Sequence, residues 1–124
     1  AARAALHLRL FAMGLRHKAL HADGGALHAA LGAPVWEVLR ARLGVGCEAF
    51  ASPLNCRLPA FGSPFPDVDA PFGSRGSFFA CDARTGAFVA NPPFDPAVVA
   101  AMAVRMHASL AAADAEGAPL TFVV

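Results

Sequence analysis

The chain has 124 residues and a formal net charge of +1, with 56% hydrophobic and 15% charged residues. This length allows one domain at most, and the hydrophobic fraction is high enough for a packed core, which excludes an intrinsically disordered chain. The nearly neutral charge excludes a strongly basic nucleic-acid-binding module, so any RNA contact is local or is supplied by other sequence.

The N-terminal part of the chain predicts two helices. Apolar side chains recur at helical spacing over residues 4–21, and Asp23-Gly24-Gly25 ends that pattern. A second helix is predicted to start near Pro34, which suits a first helical turn, and to stop at Gly44. We therefore predict that residues 1–44 form a helical segment that packs on the core that follows.

The remainder, residues 45–124, predicts an α/β core. Four strands are expected, separated by a long Pro- and Gly-rich loop over residues 51–77 and by one helix: residues 45–50, 77–81, 86–90 and 120–124. The helix starts with Asp95 as N-cap and Pro96 at its first position, and it runs to about residue 112. A strand, loop, helix and strand in succession predict parallel pairing.

The sequence Asn91-Pro92-Pro93-Phe94 follows an apolar strand, at the edge of a parallel sheet where ligands bind. The Asn91 side-chain oxygen and the Pro92 carbonyl can each accept an N–H of an exocyclic aromatic amine, which localises the lone pair on nitrogen for attack on a methyl group. Two prolines stiffen the segment, and Phe94 offers a stacking face to a base. The alternative is a proline-rich loop with a capping asparagine and a core phenylalanine.

The tetrapeptide resembles the (D/N/S)PP(Y/F/W) signature of amino-methyltransferases. Three further blocks precede it in the order residues 47–56 (CEAFASPLNC), 65–69 (FPDVD) and 72–76 (FGSRG). The four blocks together resemble the catalytic domain of the phosphorylated-CTD-interacting factor family, the cap-specific adenosine-N6 methyltransferases. The resemblance covers roughly residues 31–124. It implies a Rossmann-like class I methyltransferase core, here partial and preceded by the helical segment.

The resemblance implies S-adenosyl-L-methionine as cofactor and the cap-adjacent 2′-O-methyladenosine of mRNA as substrate. Asn91, Pro92, Pro93 and Phe94 would be catalytic, and Phe94 with Arg75 would bind substrate. The strand and turn of the first block resemble the part of methyltransferases that holds the methionine end of the cofactor. The expected cofactor-binding residues are Glu48, Phe50, Ala51, Ser52, Pro53, Asn55, Asp67 and Asp69.

Several of these assignments have alternatives. Asp67 and Asp69 can equally be solvated turn residues, and Arg75 can be a surface arginine rather than a contact to the cap or a phosphate. No GxGxxG motif is present, and residues 57–59 (RLP) replace the aromatic-rich continuation expected for the family. The alternative functions are N6-adenine methylation of other RNA or DNA, and an inactive RNA-binding or transcription scaffold with the same fold.

The partners follow from the same resemblance. They are capped mRNA and, through regions outside this chain, the phosphorylated tail of RNA polymerase II, since we expect the WW module to lie elsewhere. Nuclear residence is implied as well. No apolar run approaches the ~20 residues of a membrane span, so we expect no membrane contact. Both termini are expected to be cuts in a longer protein.

The cysteines and one pair of histidines are two further features of the sequence. The cysteines, Cys47, Cys56 and Cys81, are odd in number and widely spaced, which predicts reduced thiols. His17 and His21 have the i, i+4 spacing of a metal pair but no third ligand beside them, so we predict two surface histidines and no metal.

Overall fold

The computed structural model describes residues 2–20 and 31–124. Two helices come first, α1 (Ala2–Leu20) and α2 (Ala33–Leu43), which confirms the two helices predicted from the sequence pattern. Helix α2 has a proline in its first turn and ends at Gly44, whose φ of 64° is the left-handed conformation that closes a helix. The Gly44 N–H donates to the carbonyl of Arg40, as this type of C-cap requires.

Three parallel strands form the sheet in the order β1 (Cys47–Glu48), β2 (Gly86–Val89) and β3 (Leu120–Val123). The predicted parallel pairing is confirmed, although β1 is shorter than the predicted strand over residues 45–50. Two isolated parallel bridges continue the sheet beyond β1, the first joining Glu48 to Phe61 and the second joining Phe61 to Ser74. The spatial order is therefore Ser74, Phe61, β1, β2, β3.

Helix α4 (Pro96–Ala115) connects β2 to β3. The Asp95 carboxylate caps it by accepting the backbone N–H groups of Ala97 at 2.8 Å and Val98 at 3.0 Å, which confirms the predicted start. This 20-residue helix contains an 18-residue stretch with a mean hydropathy of 1.4, and by length and composition it is long and apolar enough to cross a membrane. The expectation of no such run is therefore wrong, although α4 packs Met102 and Met106 against the sheet as a core helix does.

The segment between β1 and β2 contains a four-residue helix α3 (Pro66–Asp69) and 3-10 turns at Ala70–Phe72 and Phe78–Ala80. The strand predicted over residues 77–81 is wrong. The Ser77 side chain accepts the backbone N–H of Phe79, and the Cys81 N–H donates to the Phe78 carbonyl, so the backbone turns instead of extending. The aromatic run that favoured a strand packs its rings together, with Phe78 5.2 Å from Phe50 between centroids.

The two faces of the sheet carry separate cores. Consecutive strand residues point to opposite faces, and Val89 belongs to one buried cluster whereas Ala90 belongs to the other. Trp36 and Leu39 of α2 cover the Val89 face, while α4 covers the Ala90 face. The result is a parallel sheet between helices. A division into residues 1–44 and 45–124, and a class I methyltransferase core, stay predictions.

Candidate functional site

The path of the chain through the sheet defines where a ligand binds. From β1 the chain moves outward to Phe61 and then to Ser74, and it returns to β2 on the other side of β1 before it continues to β3. The connections therefore diverge at the boundary between β1 and β2. In open parallel sheets the crevice at such a switch point, beyond the carboxyl ends of the strands, is the ligand site.

A cavity of about 540 Å³ lies at this position. It is within the range of roughly 300–1,000 Å³ that is usual for small-molecule sites. The segments that follow both strands contribute to its wall, as do residues from α1, α2 and the aromatic turn after Ser77. The lining residues from the two strand ends are Glu48, Ala49, Phe50, Ala51, Ser52, Asn55, Arg57, Val89, Asn91, Pro93, Asp95 and Val98.

The turn after β1 is held by hydrogen bonds between its own side chains. The Asn55 Oδ1 accepts the Ser52 backbone N–H at 2.7 Å and the Ser52 hydroxyl at 3.0 Å. The Ser52 hydroxyl in turn accepts the N–H of Leu54 at 3.2 Å. Both predicted residues line the cavity, and their mutual bonds give the turn a fixed shape there.

The Glu48 carboxylate holds this turn in place through hydrogen bonds to its backbone. Its side chain is buried at the end of β1, and Oε1 accepts the backbone N–H groups of Arg57 at 2.5 Å and Leu58 at 2.7 Å. Hydrogen bonds to a carboxylate are stronger than those to a neutral acceptor. Glu48 therefore fixes the far end of the turn in addition to lining the cavity.

The other predicted residues of the first block are arranged around this turn. The Phe50 ring packs against Phe78 and Phe79 and forms part of the cavity wall. The Ala51 N–H donates to the Gly62 carbonyl at 2.8 Å, so the small side chain lies where two backbone segments meet. Pro53 is half-buried in the turn and does not line the cavity.

The four residues after β2 divide between the cavity and the surface. Asn91 and Pro93 line the cavity and are otherwise exposed, whereas Pro92 is buried beneath them. The Pro93 carbonyl accepts the Asp95 N–H at 2.7 Å, which couples the motif to the cap of α4. The Phe94 ring is 74% exposed and lies outside the cavity wall, so it is available to a large ligand but is not a core residue.

The structure places Asp67 and Asp69 outside the cavity wall. Asp67 is exposed and accepts from Arg16 of α1 at 3.2 Å. Asp69 has 0% exposure and accepts from the His17 ring Nε2 at 3.0 and 3.1 Å. Asp67 is therefore a solvated acidic residue with an exposed ion pair, whereas Asp69 is buried against α1, and neither lines the cavity.

Arg75 is exposed and belongs to a second cavity of about 450 Å³, which it lines together with Cys47 and Cys81. It is therefore not brought together with Asn91. Burial raises the pKa of the Cys47 thiol, and the nearby Arg75 guanidinium partly opposes that rise. Burial also raises the pKa of Cys56. The three cysteines are free thiols, as predicted.

Several lining residues were not predicted from sequence as site residues, among them His17, Trp36 and Arg57. The prediction that His17 is a surface residue is wrong, since it is 2% exposed, and His21 lies outside the described residues. The buried Trp36 Nε1 has no hydrogen-bond partner in the described part of the chain. A buried donor without a partner is uncommon, so an acceptor near the indole would stabilise this wall. No group of three metal-ligating side chains occurs within residues 2–20 and 31–124.

Comparison with known proteins identifies the family of this chain. The family model described as "Phosphorylated CTD interacting factor 1 WW domain" matches residues 1–124. The chain belongs to the phosphorylated CTD interacting factor 1 family. The resemblance drawn from the four sequence blocks is thereby confirmed. The matched model is named for a WW domain, and the strands among the described residues all pair in parallel.

Two curated relatives carry the name mRNA (2′-O-methyladenosine-N(6)-)-methyltransferase, one from Mus musculus and one from Homo sapiens. Each is 39% identical to the chain over 102 residues, which is 82% of this chain. The chain spans 14% of the length of these relatives. This member of the phosphorylated CTD interacting factor 1 family therefore has relatives that are named as mRNA methyltransferases.

Proposed function

We propose that the protein containing this chain methylates the N6 amine of the cap-adjacent 2′-O-methyladenosine of mRNA with S-adenosyl-L-methionine as methyl donor. In this proposal the chain forms the cofactor- and amine-binding part of a Rossmann-like class I methyltransferase core. One observation carries the proposal: the turn after β1 and the segment after β2, through Asn91 and Pro93, line the same cavity at the switch point of a parallel sheet.

The cavity has the character that an S-adenosylmethionine site needs. Its wall is mainly apolar, with aromatic rings from Trp36, Phe50 and Phe78, and it contains a few fixed polar groups. Phe50, Ala51, Ser52 and Asn55 would hold the cofactor, with Glu48 and Pro53 shaping the turn. The buried Trp36 N–H without a partner offers one more donor at this wall. When bound, the cofactor supplies an electrophilic methyl group.

The residues after β2 would orient the amine. The Asn91 oxygen and the Pro92 carbonyl would each accept an N–H, which favours a pyramidal nitrogen whose lone pair faces the cavity. The bond between the Pro93 carbonyl and the Asp95 N–H restrains this segment against α4. The exposed Phe94 would stack on the adenine ring, a contact worth roughly 1–3 kcal/mol in single-strand binders.

The substrate assignment comes from the relatives, whose name specifies 2′-O-methyladenosine of mRNA. Nuclear residence and contact with the phosphorylated polymerase tail through other regions belong to the same proposal. The exposed Arg75 lines the second cavity, which does not include Asn91, and it is the candidate for contact with a phosphate or the cap beyond the reacting base.

The test uses the full-length protein, labelled S-adenosylmethionine, and RNAs that begin with 2′-O-methyladenosine with or without a 7-methylguanosine cap. We expect the wild-type protein to methylate capped RNA. We expect Asn91→Ala to lower kcat by roughly 10²-fold, the loss typical of removing one positioned polar group. We expect little loss of fold, because Asn91 is exposed in the loop after β2. Equal rates on capped and uncapped RNA would contradict cap specificity, and full activity of the variant would contradict the role of Asn91.

A matched pair separates base stacking from a general surface effect. Phe94 and Val104 are both largely exposed apolar residues, and only Phe94 adjoins the cavity segment. We expect Phe94→Ala to raise KM for RNA and Val104→Ala to leave both kcat and KM unchanged. An unchanged KM in the Phe94 variant would refute stacking.

A further inference from the structure

Helix α1 contributes to the cavity through His17, its one described residue that lines the wall. Most of α1 is exposed to solvent, including Leu8 and Phe11, and Met13 and His17 are its buried residues in the described part of the helix. A helix with so few buried side chains has little apolar area to hold it in place. Its position therefore depends on the specific contacts that these residues make.

The strongest of these contacts is the pair of His17 and Asp69, which are 52 positions apart in the chain. The His17 Nε2 lies 3.0 and 3.1 Å from the two Asp69 oxygens, and the two residues are 2% and 0% exposed. Because an ionised carboxylate only accepts hydrogen bonds, Nε2 is the donor. The His17 ring also packs edge-on against Phe65, with 5.3 Å between centroids.

Loss of this pair would be costly. A wholly buried carboxylate is tolerated only when it is hydrogen-bonded, and removing its partner leaves an uncompensated buried charge. The Arg16 to Asp67 ion pair on the same helix turn is solvent-exposed, so it contributes less than the buried pair. Without His17, separation of α1 from α3 would return Asp69 to water, so undocking of α1 would become favourable.

His17 and Asn91 line the same cavity from elements next to different strands. The neighbour of His17, Phe65, follows the Phe61 bridge, which lies beyond β1 in the sheet, whereas Asn91 follows β2. Within the sheet, two strand spacings of about 4.8 Å, about 10 Å in all, separate Phe61 from β2. An elongated cofactor with its reactive centre near Asn91 would extend toward the α1 wall.

We propose that His17 is a positioning residue for the cofactor: its hydrogen bonds to Asp69 hold α1 as a wall of the cavity, so that the bound cofactor and the docked helix stabilise each other. This inference rests on the proposed function. It assigns Asp69 an indirect role, through His17, in place of direct contact with the cofactor. By thermodynamic reciprocity, whatever factor α1 docking adds to cofactor affinity, the cofactor adds to α1 docking.

The first experiment measures the Kd of S-adenosylhomocysteine for the full-length protein by calorimetry. We expect His17→Ala to raise Kd by about tenfold, a coupling of ordinary size. His17→Gln should restore near-wild-type Kd, because the glutamine amide nitrogen can donate to Asp69 in place of Nε2. Ala113→Gly is the control for stability loss, and it should leave Kd unchanged, since Ala113 is buried near the end of α4, about 22 Å along the helix from the lining residue Val98.

The second experiment measures hydrogen exchange of the α1 amides in the wild-type protein, so the proposal stays testable if His17→Ala does not fold. We expect bound S-adenosylhomocysteine to slow exchange in α1. Unchanged exchange on binding, or equal Kd for wild-type and His17→Ala, would overturn this inference alone. Failure of glutamine to restore affinity would also overturn the hydrogen-bonding role. A wild-type protein that binds no S-adenosylhomocysteine would overturn the proposed function together with this inference.

Discussion

The turn that lines the cavity depends on one buried carboxylate, and this dependence gives a quantitative prediction. Glu48 Oε1 accepts the N–H groups of Arg57 and Leu58, and the Leu58 side chain is itself buried. Glu48→Ala would leave both donors without this acceptor. Glu48→Gln is the matched variant, because its amide oxygen can still accept while the charge is removed.

The expected loss of opening free energy follows from the two hydrogen bonds. Bonds to a charged group contribute about 1.5–3 kcal/mol each, so Glu48→Ala should lower the local opening free energy of the turn by about 3 kcal/mol or more. At about 1.4 kcal/mol per factor of ten, the amides of Arg57 and Leu58 should exchange roughly 100-fold faster. Glu48→Gln should lose only the charge-assisted part, about 1 kcal/mol, and exchange roughly 5-fold faster.

Hydrogen exchange with mass spectrometry on peptides that cover residues 52–60 measures both effects, with α4 peptides as the internal reference. Exchange in Glu48→Ala equal to wild type would refute the anchoring role. The Kd of S-adenosylhomocysteine distinguishes anchoring from direct contact. Anchoring predicts that Glu48→Gln binds nearly as wild type does, whereas an ionic contact between Glu48 and the cofactor predicts that Gln and Ala weaken binding equally.

Two further predictions concern glycines and thiols. A Cβ at Gly62 would lie 2.5 Å from the Ala49 carbonyl oxygen, so Gly62→Ala should destabilise the protein by about 1–3 kcal/mol in denaturant unfolding. Gly14→Ala has open space in α1 and should stabilise by up to about 1 kcal/mol; a loss there would contradict this. Because burial raises the Cys47 pKa above its ordinary 9.0, Cys47 in the folded protein should react slowly with iodoacetamide at pH 7, and the stability of the protein should fall as pH rises beyond 9.0. Equal alkylation of Cys47 in folded and urea-unfolded protein, measured by mass spectrometry, would refute this.

Local sequence was sufficient for several elements of the fold. Asp95 before Pro96 predicted the start of α4, and Gly44 predicted the end of α2, because caps depend on hydrogen bonds to residues within one helical turn. The same local rules failed at Phe78–Ala80. There the aromatic composition favours a strand, whereas packing against Phe50 and the Ser77 cap selects a 3-10 turn.

For the site, the position of Asn91 at the end of a parallel strand could be read from the order of elements along the chain. The sequence blocks also placed Ser52 and Asn55 near a ligand, and both line the cavity. Asp67 and Asp69 were predicted to bind the cofactor, but neither lines the cavity. The sequence of a turn-forming acidic segment is the same whether its carboxylates face a ligand, water or another helix.

The sequence alone determined the helix ends, the parallel arrangement, the strand-end motif and the family, since each depends on neighbouring residues or on the order of short blocks. Only the tertiary structure decided that the segments after β1 and β2 share one cavity, that Glu48 holds residues 57 and 58, and that His17 is buried against Asp69. Such contacts join residues up to 52 positions apart. A buried charge finds its partner through the packing of whole elements, and no local pattern in a single sequence specifies that partner.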